Sequence, residues 1–241
     1  QTTTHTNGYY QGGQLKILRS HLLLALGMAT IISTSVSNSA YADTTAIIAD
    51  RNAAANQQAT ILATANGKTQ VNIQSPSAAG VSRNVFSQFD VGSDGAILNN
   101  SRTNAQTQIA GWVEGNPYLA RGEARVILNE VNSSDPSRLG GYTEIAGGRA
   151  ELIIANPAGI SCAGCGFINA SRTTLTTGQA LMDQGRLTGF DVTGGKVSID
   201  GDGLDTSSSD YTQIIAKTTD INAGVYAKNL DVITGDNKVS Y

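Results

Sequence analysis

The chain has 241 residues, of which 40% are hydrophobic, 5% aromatic and 15% charged; it is long enough for a sizeable core and too apolar for a disordered chain. Gly stands at 27 positions and Pro at only 4, which favours tight turns and small inward side chains over helices packed on bulky residues. A formal charge of −3 argues against nucleic acid as a partner, and the two histidines, His5 and His21, lie so early that the rest of the chain has no Ser-His or Cys-His nucleophile pair and no His-ligated metal.

Taken in chain order, the first feature is a targeting segment. Lys16 and Arg19 precede a mostly apolar run from Leu22 to Ile32. That run fits the ~7–15 residues of a signal-peptide core and falls short of the ~20 that span a bilayer. Small polar residues follow from Ser33, and Ala40-Tyr41-Ala42 forms an A-x-A cleavage site before Asp43. The expectation is an exported chain whose residues 1–42 are read by the inner-membrane export machinery and removed. Removal takes two of the 16 basic residues and none of the 19 acidic ones, so residues 43–241 carry −5. Gln1 in place of an initiating Met predicts a longer N-terminal extension.

Beyond this point short β-prone runs alternate with Gly, Asn and Asp. Strands are expected at 81–89, 96–98, 109–113, 125–131, 142–146, 151–154, 173–177, 187–192, 196–199, 211–215 and 225–228. In Lys196-Val197-Ser198-Ile199-Asp200 the two apolar residues share one face. Gly194-Gly195, Asp200-Gly201 and Asp202-Gly203 have turn chemistry. The best helix candidate, 46–59, is short and Ala-rich. A sandwich, a barrel and a parallel β-helix all fit such runs. Asn recurring at run ends (Asn99, Asn100, Asn116, Asn129, Asn132, Asn156, Asn169, Asn222) favours the stacked coils of a solenoid, because its side chain bonds neighbouring backbone at bends.

Two segments read as corners. In Asn156-Pro157-Ala158-Gly159-Ile160 the residue before Pro is held extended, Pro fixes the next φ, Gly permits a sharp turn and Ile returns to the core. Asn116-Pro117-Tyr118-Leu119 is similar. Cys162 and Cys165, the only cysteines, could be a redox pair, half a zinc site or a disulfide. Zinc lacks further ligands, the glycines around them suggest a turn entering a strand, and an even pair in an exported chain favours a disulfide over two free thiols. Asp200 to Asp205 lacks the spacing of a calcium loop and reads as two Asp-Gly turns. Arg121, Arg125, Arg138, Arg149 and Arg172 form no run and read as solvated surface, and Trp112 as core or corner packing. The chain has no nucleophile elbow or phosphate loop.

Five segments together resemble a known family. They are Gly92–Ser101, Gly111–Leu119 running into Ala124–Val131, Ala155–Ile160 leading into Cys162–Asn169, Thr173–Gly178, and Gly189–Val192. They resemble the N-terminal transport domain of two-partner secretion exoproteins of the filamentous-haemagglutinin type, particularly contact-dependent growth inhibition effectors. The resemblance covers nearly all of 43–241. It departs at Tyr118 and Ala158, where the family's Asn-Pro motifs usually carry Asn. It implies an all-β, right-handed parallel β-helix with an N-terminal cap and extra-helical β-hairpins, monomeric and without cofactor or metal. It also implies a non-enzymatic role. A partner outer-membrane β-barrel transporter would recognise the domain in the periplasm through polypeptide-transport-associated domains, and the domain would lead a long exoprotein to the surface of a Gram-negative cell. Asn116, Pro117, Tyr118 and Leu119 with Asn156, Pro157, Ala158, Gly159 and Ile160 are the expected recognition and secretion motifs. The competing expectations are an adhesin and a β-helix polysaccharide lyase.

Overall fold

The computed structural model describes residues 44–241; the leader and the cleavage residues Ala40, Ala42 and Asp43 lie outside them. One sheet holds, in spatial order, β1 (Ala46–Ala49), β4 (Val81–Asp90), β8 (Val126–Val131), β11 (Ala150–Ala155), β13 (Ala170–Thr176), β17 (Tyr211–Ala216) and β20 (Leu230–Thr234). The other runs β2 (Thr60–Ala63), β3 (Thr69–Asn72), β5 (Ala96–Asn100), β10 (Tyr142–Gly147), β12 (Ile160–Ile168), β16 (Lys196–Thr206) and β18 (Thr218–Ile221). Beside β12 lies β9 (Ser137–Leu139), and beside β16 lies β19 (Val225–Ala227). From β3 onward all the pairs in these two sheets are parallel. The chain visits the two sheets in turn, so each visit adds a coil to a parallel β-helix.

Parallel neighbours need a long crossover, and here the opposite sheet supplies it. Alternation along each strand then places equivalent side chains in columns inside the solenoid. Ile154, Leu175 and Ile214 stand in register on β11, β13 and β17, each fully buried. Val71, Leu98 and Ile145 form a matching column across β3, β5 and β10. The first coil is closed by antiparallel strands, β1 against β4 and β2 against β3. Two hairpins stand outside the helix. One is β6 (Ala105–Thr107) with β7 (Gly111–Val113). The other, β14 (Gln179–Asp183) with β15 (Arg186–Val192), is joined by β21 (Asn237–Ser240). That second sheet covers a further apolar cluster, including Leu128, Ile153, Phe190 and Ile215, on the outer face of the seven-stranded sheet.

Several expectations are corrected. Residues 46–59 hold β1 and a 3-10 turn at Ala55–Gln57 instead of a helix, because burial of Ile47 opposite Phe89 on β4 outweighs a weak Ala-based propensity. The run 109–113 is strand only from Gly111, since Gln108 and Ile109 spend their N–H groups on Glu144. Strands reach ten and eleven residues in β4 and β16, because bulges turn the chain without ending the ladder. Asp200 to Leu204 is such a bulge. On β12 Ala163 opposes Asp200 and Cys165 opposes Leu204, with Gly201 and Gly203 at φ 56° and 85°. Trp112 is 65% exposed on the β6–β7 hairpin.

At the corner where β9 passes into β10, coils approach so closely that only glycine fits. A Cβ on Gly141 would lie 2.0 Å from the Gly92 carbonyl oxygen of the coil below, whereas one on Gly194 would meet nothing within 4 Å. Gly141→Ala is therefore expected to lower the unfolding free energy by about 2 kcal/mol or more, as overpacking does. Gly194→Ala should change it by less than about 0.5 kcal/mol. Urea titration of the two variants checks the contrast.

Candidate functional site

The two Asn-Pro segments form corners of the same design. Asn116 follows β7 and caps a 3-10 turn at Pro117–Leu119, with Pro in its first positions. Its side chain is 2% exposed. The amide nitrogen donates to the carbonyls of Ile73 and Asn99, both at 2.9 Å, and the amide oxygen accepts from Tyr118 N at 3.0 Å. Leu119 is fully buried in the core, while Pro117 faces solvent. Tyr118 is half-buried, and its hydroxyl lies 2.8 Å from Thr60 Oγ1 on β2. The residue that departs from the family pattern therefore fastens the antiparallel cap to the first coil.

Asn156 follows β11 and is completely buried. Its amide nitrogen donates to Asp135 O at 2.9 Å and Ser137 Oγ at 3.0 Å, and its oxygen accepts from Ala158 N at 3.0 Å. The backbone closes the turn, with Gly159 N donating to Asn156 O at 3.0 Å. Gly159 sits at φ 123°, a conformation that favours glycine. Ile160 then enters the core, paired with Ser137 below and Val197 above. Pro157 is exposed and Ala158 half-buried.

Both amides thus reach back to earlier segments of the chain, separated by 43 and 17 residues for Asn116 and by 21 and 19 for Asn156. Each corner ties the arriving strand to one already laid down. The asparagine amides are occupied and sheltered; what an approaching molecule meets is Pro117, Pro157 and the edge of Ala158. Different grooves border the two corners. A groove of about 710 Å³ beside the first is lined by Arg102, Thr103, Pro117, Ala120 and Glu123, with Asn116 and Leu119 at its floor. Pro157 lines one of about 340 Å³ with Arg83, Glu130 and Gln179, above the Arg83–Glu130 ion pair.

Cys162 and Cys165 are bonded to each other, with Cα atoms 5.4 Å apart. Both are buried within β12, on either side of its break in register with β16 at Gly164 (φ 74°), rather than in a turn ahead of a strand. Close by, the Tyr142 ring lies where a Cβ on Gly166 would be, and its hydroxyl donates to Asp205 Oδ2 at 2.7 Å. That bond raises the Tyr142 pKa, while the Asp205 carboxyl is held below the usual range chiefly by the Ser207 hydroxyl. Among the described residues no three His, Cys, Asp or Glu side chains gather as a metal site.

One structural residue escaped the sequence. Glu144 is 4% exposed on β10, and its carboxylate accepts from Gln108 N and Ile109 N at 2.9 Å. It holds the β6–β7 hairpin immediately before the first corner. In the alternating strand 142–146 a Glu reads as solvent-facing, and no local signal announces that the hairpin covers it.

The stacked solenoid matches the β-helix of the filamentous hemagglutinin secretion domain. The crystal structure of that domain superposes with a TM-score of 0.72 and 34% identity, over 81% of this chain and 65% of that one. The family model of the TPS secretion domain matches residues 45–241, and the chain belongs to that family. It is 57% identical over 225 residues to a Yersinia pestis protein named Toxin CdiA, across 93% of this chain and 6% of the relative. It is 49% identical over 183 residues to tRNA nuclease CdiA-2 of Burkholderia pseudomallei (strain 1026b), across 75% of this chain and 6% of the relative. The chain thus spans about one sixteenth of the length of these relatives, and its place in them is that of a secretion domain.

Removing a buried amide strands its partners. Asn156→Ala leaves Asp135 O and the buried Ser137 hydroxyl without their donor, and the same change at Asn116 strands the carbonyls of Ile73 and Asn99. Each variant should lose about 2–6 kcal/mol, from a penalty of ~1–3 kcal/mol for each of the two unsatisfied groups. Urea unfolding followed by circular dichroism measures it, and a loss below about 0.5 kcal/mol at both positions would contradict the assignment.

Proposed function

We propose that this domain targets a long exoprotein to a partner outer-membrane β-barrel transporter. The transporter's polypeptide-transport-associated domains recognise it in the periplasm of a Gram-negative cell, and the domain then nucleates folding of the solenoid at the cell surface. The domain starts near Asp43 and extends through residue 241, follows a cleaved leader, and works as a monomer without catalysis. The observation that carries this reading is the design of the corners. Buried Asn116 and Asn156 shape them from within, and they present Pro117, Pro157 and Ala158 outward. Recognition reads that outer profile.

The architecture also supplies a driving force without nucleotide. A coil that stacks outside the pore gains its hydrogen bonds and core contacts from the coil before it, so sliding back requires breaking them. If each coil contributes ~1.4 kcal/mol net, backward motion falls about tenfold per coil. Ile221, Tyr226, Leu230 and Val232 expose apolar area on the last strands, where the next coil of the longer exoprotein would rest.

Ala158→Arg tests recognition apart from folding. The half-buried methyl lies at the rim of the corner, so stability should change by less than about 0.5 kcal/mol, while binding to the transporter's purified periplasmic domains weakens about tenfold, worth ~1.4 kcal/mol. Unchanged binding with unchanged fold would overturn the contact. Failure of the unaltered domain to bind those domains would overturn the targeting role itself.

A further inference from the structure

The strand β21 leaves the solenoid. After β20 the chain turns at Gly235, φ 99°, where Gly235 N donates to Lys217 O at 3.0 Å. It then runs back antiparallel along β15, Val239 opposite Phe190 and Asn237 opposite Val192. Gly189 makes the approach possible, since a Cβ there would lie 2.3 Å from the Val239 carbonyl oxygen.

Tyr241 then gathers groups from three strands. Its N–H donates to Thr188 O on β15 at 3.1 Å, and its hydroxyl donates to the Glu151 carboxylate on β11. Its ring meets Phe190 edge-on at 5.6 Å and lies 4.5 Å beneath the Arg172 guanidinium of β13. Arg172 also lies 5.2 Å from the Tyr211 ring of β17, so it is held between two aromatic faces and is not the solvated cation the sequence suggests. Its Nε is buried without a hydrogen-bond partner, which leaves the ring faces as that edge's compensation. Burial first, then the Glu151 bond, pushes the Tyr241 phenol up, keeping it a donor throughout the working range of pH.

Glu151, Arg172 and Tyr211 are neighbours only because β11, β13 and β17 have stacked in register. The receptor for Tyr241 therefore does not exist before those coils do. The hairpin β14–β15, for its part, is a two-stranded ribbon, a form marginal in water on its own. β21 makes it three-stranded, and Val239 and Tyr241 cover the cluster around Phe190.

We propose that β21 with Tyr241 is a latch, a unit that opens and closes separately from the coils and fixes the external hairpin onto a solenoid already assembled. This property belongs to the folded chain alone and does not depend on the export reading.

Native-state hydrogen exchange on the 241-residue chain tests it without any transporter. In both Tyr241→Ala and Gly189→Ala, amides of β14, β15 and β21 should exchange about tenfold faster or more, while those of β8, β11 and β13 keep their rates, as separate cooperative units do. Tyr241→Phe, which keeps the ring on Arg172 and loses the Glu151 bond, should accelerate the same amides less. Unchanged exchange in β14, β15 and β21, or equal acceleration in β8, β11 and β13, would overturn the latch.

Discussion

A coil of parallel β-helix cannot satisfy its own backbone. Its N–H and C=O groups point along the solenoid axis to the coils on either side, and unpaired buried groups are costly. Every other feature of this domain follows from that dependence. The antiparallel strands β1 and β2 supply partners for the first coil. The columns headed by Ile154 and Val71 keep successive coils in register. Glycine at tight corners lets the spacing between coils persist where the chain bends, as at Gly141 over Gly92.

The asparagine corners carry the same dependence into side chains. A backbone that turns away from its neighbour leaves carbonyls unpaired, and an amide with two donors and an acceptor can serve the neighbour and its own turn together. Asn116 and Asn156 do this, and Tyr118 and Ala158 show what the third position is free to do once the amide has set the turn. At the first corner that freedom is used to bind Thr60; at the second it leaves a small side chain at a rim. Stacking and surface are thus linked through one geometry, in which the buried asparagines that tie the coils together also set the outward positions of Pro117 and Pro157.

Much of this was legible in the chain. Asn and Gly at run ends, the alternation at Val197 and Ile199, and the two Asn-Pro segments are local signals, and local turn chemistry decided their structure. What could not be read depended on distant partners. Ala46–Ala49 is a strand because β4 offers an edge for it. Glu144 is buried because a hairpin nearly forty residues earlier folds over it. Arg172 is enclosed by rings from Tyr211 and Tyr241. Asp200 to Leu204 has the composition of two turns, yet pairing with β12 keeps it within a strand as a bulge. Trp112 is exposed because the hairpin that carries it buries Ala110 and Val113 instead.

We propose that the first coil, capped by β1 and β2, is the one that forms first and that the later coils add to it in order toward β20. Pulsed hydrogen exchange during refolding from urea, resolved by peptide mass spectrometry, measures that order directly. Amides of β4 and β8 should gain protection before those of β13, and these before β17 and β20. Protection appearing first in β17 and β20, or at one common rate in all of these strands, would contradict it.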